Sequence, residues 1–466
     1  MLSAGDHRLL LELMELPTAG PLEAPGAAPQ LWQAQQAYAQ AAAALGFEVL
    51  RHRAPEQSWT ERPDVPLLVR EAAAASPEFL ACQPSLLLRL GGAAARRRTV
   101  MFNVHLDTVA GRQPISHRDG VFHGRGAVDA KGPAVALLAG LRAALAEQPG
   151  LERRISILVQ AVAGEEGGAL GTIGTRPLVA AGHYGRLNVF CEPTGNRALA
   201  RSTAAMTARI KVTGQDAVDD RPAAGHNATV LLGFLAQHLA ANVTPGAGQL
   251  CVAGLHTGRL HNRVYGQGEL LLNLAYPDPA TAERLEAAVA SGVADALRAF
   301  ADRFAANPLL ARTAVDAVRI TRLEWLKRGL PALVAPTADD GWLPGLLAAA
   351  GVPGCPPQEP AFTCDAIWLA GLADAATVVL GPGTLDGNNA HAEGEFVRES
   401  ELAGFARTVA DLLAAFDADL RRSRSTEPEQ HPHGRAHGTA QHRQSAAPTP
   451  LPRPATAEED RPACRS

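Results

Sequence analysis

Several apolar stretches of this chain end directly at an acidic residue or a histidine. The stretch at residues 98–104 runs into His105, and the stretch at residues 188–191 is followed by Glu192. Buried charge is costly unless a partner neutralises it. Two divalent metal ions would neutralise such a set, so the pattern predicts a site for two cations. The predicted set is His105, Asp107, Asp129, Glu165, Glu166, Glu192 and His391.

The alternation of strands and helices sets the expected fold class. Residues 155–162 are mostly apolar, which is typical of a strand buried on both faces of a sheet. The alternation predicts an α/β fold, a three-layer α/β catalytic domain with a mostly parallel sheet. In such folds ligands bind at the carboxyl ends of the strands, where these acids fall. The predicted elements here are strands at 47–50, 86–90, 98–104, 155–162 and 188–191, and helices at 4–16, 31–45 and 131–146.

A different order of elements follows from about residue 202. It predicts the β-α-β-β-α-β succession of a ferredoxin-like unit, an inserted α+β lid domain. The elements are strands at 207–213, 250–255, 269–275 and 313–323, and helices at 226–241 and 280–304. The predicted divisions are therefore 1–201 and 326–420 for the catalytic domain and 202–325 for the lid and dimerisation domain. The returning segment carries a helix near 340–350, a strand at 376–380 and a helix at 401–420.

The last part of the chain, residues 421–466, has no periodicity. It is rich in Arg, Ser, Pro, Gln and His, a composition that predicts a disordered tail. Its histidines could hold metal, but a solvated polar tail is the favoured interpretation. They are His431, His433, His437 and His442.

Composition excludes several classes of protein. The net charge is -4, which gives no electrostatic case for binding nucleic acid or an anionic membrane. No stretch reaches the roughly 20 apolar residues of a spanning helix. Charged residues from Asp6 to Glu15 interrupt the N-terminal apolar run, so no signal peptide is expected. The six cysteines form no CxxC pair, and a reducing cytoplasm is the predicted location.

Each acidic motif has an ordinary alternative. His105 and Asp107 are two apart at a strand end and so lie on one side of it, but this could be a plain polar strand end. Asp129 could bridge two cations with its two oxygens, or it could cap the following helix. Glu165 and Glu166 would repel each other at a buried sheet edge unless a cation were near, but they could also form a solvated turn.

Five motifs in order carry a resemblance to a known family. They are HLDT, GRGAVDAKG, AGEEGG, CEPT and GPGTLDGNNAH, over roughly residues 5–418. Together they resemble the di-zinc amidohydrolases that include acetylornithine deacetylase, succinyl-diaminopimelate desuccinylase, aminoacylase and glutamate carboxypeptidase.

The resemblance implies a role for each residue of the set. His105 and Glu192 would bind one metal ion, and Glu166 and His391 the other. Asp129 would bridge the two ions. Asp107 would orient His105, and Glu165 would be the general base. The ligand set favours two Zn²⁺ ions, with Co²⁺ or Mn²⁺ as alternatives.

The lid departs from the family pattern. Val218 stands where relatives carry a histidine that reaches across a dimer to the oxyanion, and Ala275 stands about where many carry a substrate-binding arginine. Asn262 matches the family asparagine, and the neighbouring Arg263 could bind a substrate carboxylate. Losing one oxyanion donor typically costs roughly 3–4 kcal/mol of transition-state stabilisation. Together these departures imply a substrate unlike those of the named relatives.

Three functions remain open from the sequence. The first is a metal-dependent hydrolase that cleaves the amide bond of an N-acyl amino acid or a small peptide. The second is an epimerase-like enzyme in which the same di-metal site and Glu165 move a proton without hydrolysis. The third is a binding protein with a vestigial site. A homodimer through a lid edge strand near 250–255 is also expected.

Overall fold

The computed structural model describes residues 2–62, 64–335 and 341–425. Of the predicted disordered tail, residues 421–425 belong to the last helix, so the predicted start of the tail was wrong. The remainder, residues 426–466 with the four histidines, lies outside the described residues.

The described residues form fifteen strands. They are β1 (Glu48–Arg53), β2 (Ser85–Leu90), β3 (Thr99–His105), β4 (Ser116–Arg118), β5 (Val121–His123), β6 (Ser156–Val162), β7 (Leu187–Phe190), β8 (Ala204–Thr213), β9 (Ala217–Val218), β10 (Gln249–His256), β11 (Arg263–Val264), β12 (Gln267–Tyr276), β13 (Thr321–Lys327), β14 (Ala376–Val379) and β15 (Phe396–Arg398).

The same described segments contain twelve α-helices. They are α1 (Ala4–Glu15), α2 (Leu31–Ala43), α3 (Leu67–Ala75), α4 (Glu78–Ala81), α5 (Lys131–Glu147), α6 (Leu151–Arg154), α7 (Thr175–Ala180), α8 (Ala228–Asn242), α9 (Pro279–Phe304), α10 (Ala311–Ile320), α11 (Trp342–Ala349) and α12 (Glu399–Ser425). A 3-10 helix at Asp365–Leu369 also contributes to the site described below.

The larger sheet has the strand order β1-β2-β6-β3-β7-β14. Strands β6, β3, β7 and β14 are parallel to one another, and β1 and β2 complete one edge antiparallel. Strand β3 lies between β6 and β7 and every one of its residues is buried, as expected for a strand covered on both faces. The predicted α/β class with a mostly parallel sheet is confirmed.

Helices cover both faces of this sheet. Alternate residues of β3 point to opposite faces. Phe102 packs in a core that includes residues of α1, α2, α5 and α12. Met101 packs on the other side, in a core with Val179 of α7 and Leu369. The domain therefore has three layers, and His105 lies at the carboxyl end of β3.

The second sheet has the order β10-β12-β8-β13 and is antiparallel throughout. This is the ferredoxin-like arrangement, with β10 as an edge strand, as expected from the sequence. Helix α9 begins cleanly because Asp278 accepts the backbone N–H of Thr281 and Pro279 occupies the first helical turn. The lid boundaries at residues 202 and 325 stay predictions.

One predicted element was wrong. Residues 313–320 were expected to begin the last lid strand, but they form most of helix α10, and the strand occupies Thr321–Lys327. The buried residues Ala314, Ala317 and Ile320 are spaced at intervals of three, which matches a helix face. Valines in this segment favour a strand by propensity, but packing against α9 decides the outcome.

Candidate metal centre

His105 is the last residue of β3 and is buried. Its Nδ1–H donates to the backbone carbonyl of Asp107, 2.9 Å away, whereas the Asp107 carboxylate lies 3.7 Å from Nδ1. Asp107 thus orients His105 through its main chain. Its carboxylate accepts the backbone N–H of Glu166 and so joins two site segments. With the proton on Nδ1, the Nε2 lone pair of His105 is free to face a cation.

Asp129 lies between two imidazole rings. Its Oδ1 is 2.9 Å from Nε2 of His105, and its Oδ2 is 2.9 Å from Nε2 of His391. The Gly-rich turn before α5 holds it there, and the Asp129–Ala130 peptide bond is cis. Gly126 in this turn has φ +84°, and a Cβ there would lie 2.7 Å from the Lys131 side chain. The sequence needs glycine at that position for both reasons.

The remaining predicted ligands complete two clusters that share Asp129. Glu192 Oε2 is 3.7 Å from His105 Nε2, and Glu166 Oε1 is 3.0 Å from His391 Nε2. His391 is half exposed and sits at φ +61°, in the left-handed region that a non-glycine residue seldom adopts. Ligand atoms in each cluster lie within 4.8 Å of one another.

The donor atoms fit divalent cations. Two ligands held tetrahedrally by one zinc ion are about 3.4 Å apart when each lies ~2.1 Å from the metal. The separations of 2.9–3.7 Å within the two clusters bracket that spacing. Glu166 Oε1 is buried and makes no hydrogen bond, although His391 Nε2 is near. Buried oxygens normally have partners, and a cation would supply one.

The pKa values of these groups also indicate that the cluster lacks positive charge. Burial lowers the pKa of His105, but the charges of Glu192 and Asp129 outweigh it and leave that pKa well above its usual value. Burial raises the pKa of Glu166 to about 7. The adjacent carboxylate of Asp129, followed by that of Glu166, raises the pKa of His391 to about 10. The buried carboxylates therefore retain protons or share them with the imidazoles. Bound cations would stabilise the deprotonated forms of these groups instead.

Glu165 stands beside both clusters. Its carboxylate comes within 4.8 Å of ligand atoms of His105 and Glu166, and the residue is mostly buried. Burial, followed by repulsion from Glu166, raises the pKa of Glu165 well above its usual value. A carboxyl with a raised pKa next to a metal site is suited to moving protons near neutral pH.

Three residues that the sequence did not identify as functional support the site. Glu395 is fully buried, and its Oε1 accepts the backbone N–H groups of Val128 and Asp129. Asp365 is buried within reach of the charges of the site, and burial raises its pKa to about 8. Lys327, at the end of β13, is buried near Glu165, and burial lowers its pKa to about 8. The rarity of lysine in this chain was the one available signal for Lys327.

The predicted substrate-binding residues lie in the lid. Asn262 and Arg263 are exposed, and Arg263 pairs with Val218 in a two-stranded sheet. Among the described contacts, none joins either residue to the metal centre. His226 was expected on a helix, but it precedes α8. Its Nδ1 accepts the Gln215 backbone N–H, and its Nε2 lies 2.9 Å from Asp316. It is therefore engaged within the lid.

Comparison with known proteins identifies the family. The model of peptidase family M20/M25/M40 matches residues 101–415. The chain belongs to this family. The predicted class, a metallo-amidohydrolase or peptidase, is thereby confirmed at the level of the family. In the described part of this M20 chain, no helix combines the length and apolar character needed to cross a membrane.

Individual relatives are more distant. A protein of Aeropyrum pernix, provisionally named a LysW-lysine/LysW-ornithine hydrolase, is 35% identical over 158 residues, which are 30% of this chain and 43% of that protein. The M20 metallo-carboxypeptidase Sso-CP2 of Sulfolobus solfataricus is 11% identical with a TM-score of 0.63 over 90% of this chain and 100% of its own. The dinuclear metal-binding M20 peptidase YXEP of Bacillus subtilis is 12% identical with a TM-score of 0.50, over 88% and 98%. The two solved structures establish a shared fold.

Proposed function

We propose that this chain hydrolyses an amide bond of an N-acyl amino acid or small peptide at a di-metal site. The observation that carries the proposal is the position of Asp129, whose two oxygens each lie 2.9 Å from a different histidine. A single carboxylate placed in this way is suited to bridging two cations. The dinuclear site of the Bacillus subtilis relative supports the same interpretation.

His105 and Glu192 would hold one ion, Glu166 and His391 the other, and Asp129 both. When bound, such ions lower the pKa of a water molecule and polarise the scissile carbonyl. Glu165 then takes the proton of the water and passes it to the leaving amine. Zn²⁺ suits this mixed imidazole and carboxylate set, with Co²⁺ and Mn²⁺ as substitutes.

Lys327 is our proposed anchor for an anionic group of the substrate. It is a buried cation whose Nζ lies 3.8 Å from the position a Cβ would take on Gly168, in the turn that carries Glu165. Among the described residues, Glu165 is the acid whose charge acts on Lys327. A substrate carboxylate would give it a second partner, whereas Arg263 is exposed and lies 3.9 Å from Asp216.

The test is incubation of the purified protein with N-acyl amino acids and dipeptides, read by mass spectrometry. Cleavage with addition of water is expected, and Glu165→Gln should abolish it while keeping its metal content. Glu147→Gln, which changes an exposed acid paired with Arg407, is the matched control. A fully active Glu165→Gln variant would remove Glu165 from its proposed role.

The two alternatives give different results in the same assay. The observation that favours an epimerase-like enzyme is Val218, which is 58% exposed on the lid and has no hydrogen-bond donor in its side chain. Such an enzyme would take up deuterium from heavy water without cleavage. A binding protein with a vestigial site would hold no metal ion at the two clusters around Asp129 and would do neither.

The proposed assembly is a homodimer through the lid, in the cytoplasm. Strand β10 lies at the edge of its sheet, where a second copy could add its own β10. Sedimentation of the full chain tests this, and a monomer at micromolar concentration would contradict it.

A further inference from the structure

A second group of metal-binding side chains lies outside the metal centre. His7 of α1, His117 of β4 and Glu399, the first residue of α12, bring their ligand atoms within 4.8 Å of one another. Nε2 of His7 is 3.2 Å from Glu399 Oε1, and Nε2 of His117 is 3.7 Å from Oε2. The three residues come from distant parts of the chain and share no member with the di-metal clusters.

The two imidazoles lack the hydrogen bonds that a simple ion pair would provide. Nε2 of His7 and Nε2 of His117 are both inaccessible to solvent and have no hydrogen-bond partner. Buried polar atoms are nearly always paired, so two unpaired nitrogens facing one carboxylate need an explanation. One cation between the three groups would satisfy both nitrogens and the carboxylate together.

The frame around these residues is rigid. The buried ring of Phe122 stacks on His117 at 4.0 Å and meets His7 edge-on at 5.4 Å. Phe122 and His117 are also register partners in the β4–β5 hairpin. The Glu399 backbone N–H donates to the carbonyl of Gly120 in the same hairpin. Ligands fixed in this way lose little freedom when an ion binds.

We propose that His7, His117 and Glu399 form a further site for one divalent transition-metal ion of the zinc class. Two imidazole nitrogens and one carboxylate oxygen suit Zn²⁺ and leave a fourth position for water. The ion would tie α1 to the β4–β5 hairpin and to the start of α12. The site does not depend on the hydrolytic function proposed above.

The test is equilibrium dialysis of the full chain against buffered zinc, followed by metal analysis. His7→Gln/His117→Gln should bind one zinc ion per chain fewer than the unaltered protein and should keep the same hydrolytic activity. The matched control is His123→Gln, which removes an exposed histidine of β5 in the same hairpin. The tail histidines are present in all of these variants and cancel in the comparison.

Two results would overturn the site. One is equal zinc content in the double variant and the unaltered protein, and the other is an equal loss in His123→Gln. If circular dichroism shows that the double variant does not fold, Glu399→Gln decides, because it keeps both rings. Its zinc affinity at this site should fall by more than the roughly 10-fold lost when an outer-sphere partner is removed. Unchanged affinity would refute the proposal, whatever the hydrolytic activity.

Discussion

Glu395 offers the sharpest test of how Asp129, the proposed bridging residue, is held. Its Oε2 accepts a bond from Arg125 at 2.6 Å, and its Oε1 accepts the backbone N–H groups of Val128 and Asp129 at 3.0 and 3.2 Å. Replacing it by glutamine keeps an oxygen for both amides and removes the charge. Replacing it by alanine removes the acceptor as well. The two variants therefore separate charge from position.

The expected magnitudes follow from these bonds. Breaking a buried ion pair by removing one partner costs about 3–5 kcal/mol. Arg125 is still 12% exposed and keeps a bond to the Ala392 carbonyl, so Glu395→Gln should lose about 3 kcal/mol of unfolding free energy, at the lower end of that range. Glu395→Ala should lose more, because each orphaned amide adds about 1–3 kcal/mol.

Metal affinity should distinguish the variants further. Loss of an outer partner typically weakens metal binding by about 10–100-fold, and we expect this for Glu395→Ala because Asp129 loses its support. Glu395→Gln should stay closer to the unaltered protein. Urea denaturation with chelator present gives the stability, and chelator competition gives the affinity. An alanine variant with unaltered zinc affinity would refute the reasoning, as would identical behaviour of the two variants.

Three other outcomes are expected. Lys327→Met should stabilise the chelator-treated protein by up to about 3 kcal/mol at pH 7, because the lysine pKa falls from 10.5 to about 8 on folding. Urea denaturation should show this gain shrinking as pH rises from 8 to 10.5. The same variant should also have a higher KM for an anionic substrate. Asp365 has a pKa of about 8 in the folded protein, above its unfolded value, so the free energy of unfolding should fall as pH rises from 4 to 8. Asp365→Asn should make this fall smaller, as measured by urea denaturation at each pH. Removing metal with a chelator should lower the Tm, and adding zinc back, with no other change, should restore it. An unchanged Tm would argue against bound ions.

Much of the site could be predicted from the chain alone. The apolar run of β3 ends at His105, and the run of β6 is followed by Glu165 and Glu166. Parallel strands bring their carboxyl ends to one edge, so residues that follow them meet without further information. The ferredoxin-like order could likewise be read from periodicity, except for α10. There propensity favoured a strand, and contact with α9 favoured a helix.

The sequence by itself determined the fold class and the chemical types gathered at the site, because both depend on local patterns of apolar and charged residues. Tertiary structure alone decided which distant groups support that site. Glu395 lies more than 260 positions from Asp129. Lys327 ends the last strand of the lid sheet and Asp365 lies in the segment that follows it, yet the charges of both act on Glu165 or its neighbours. Burial and partnership across such distances arise from packing, and a local pattern does not encode them.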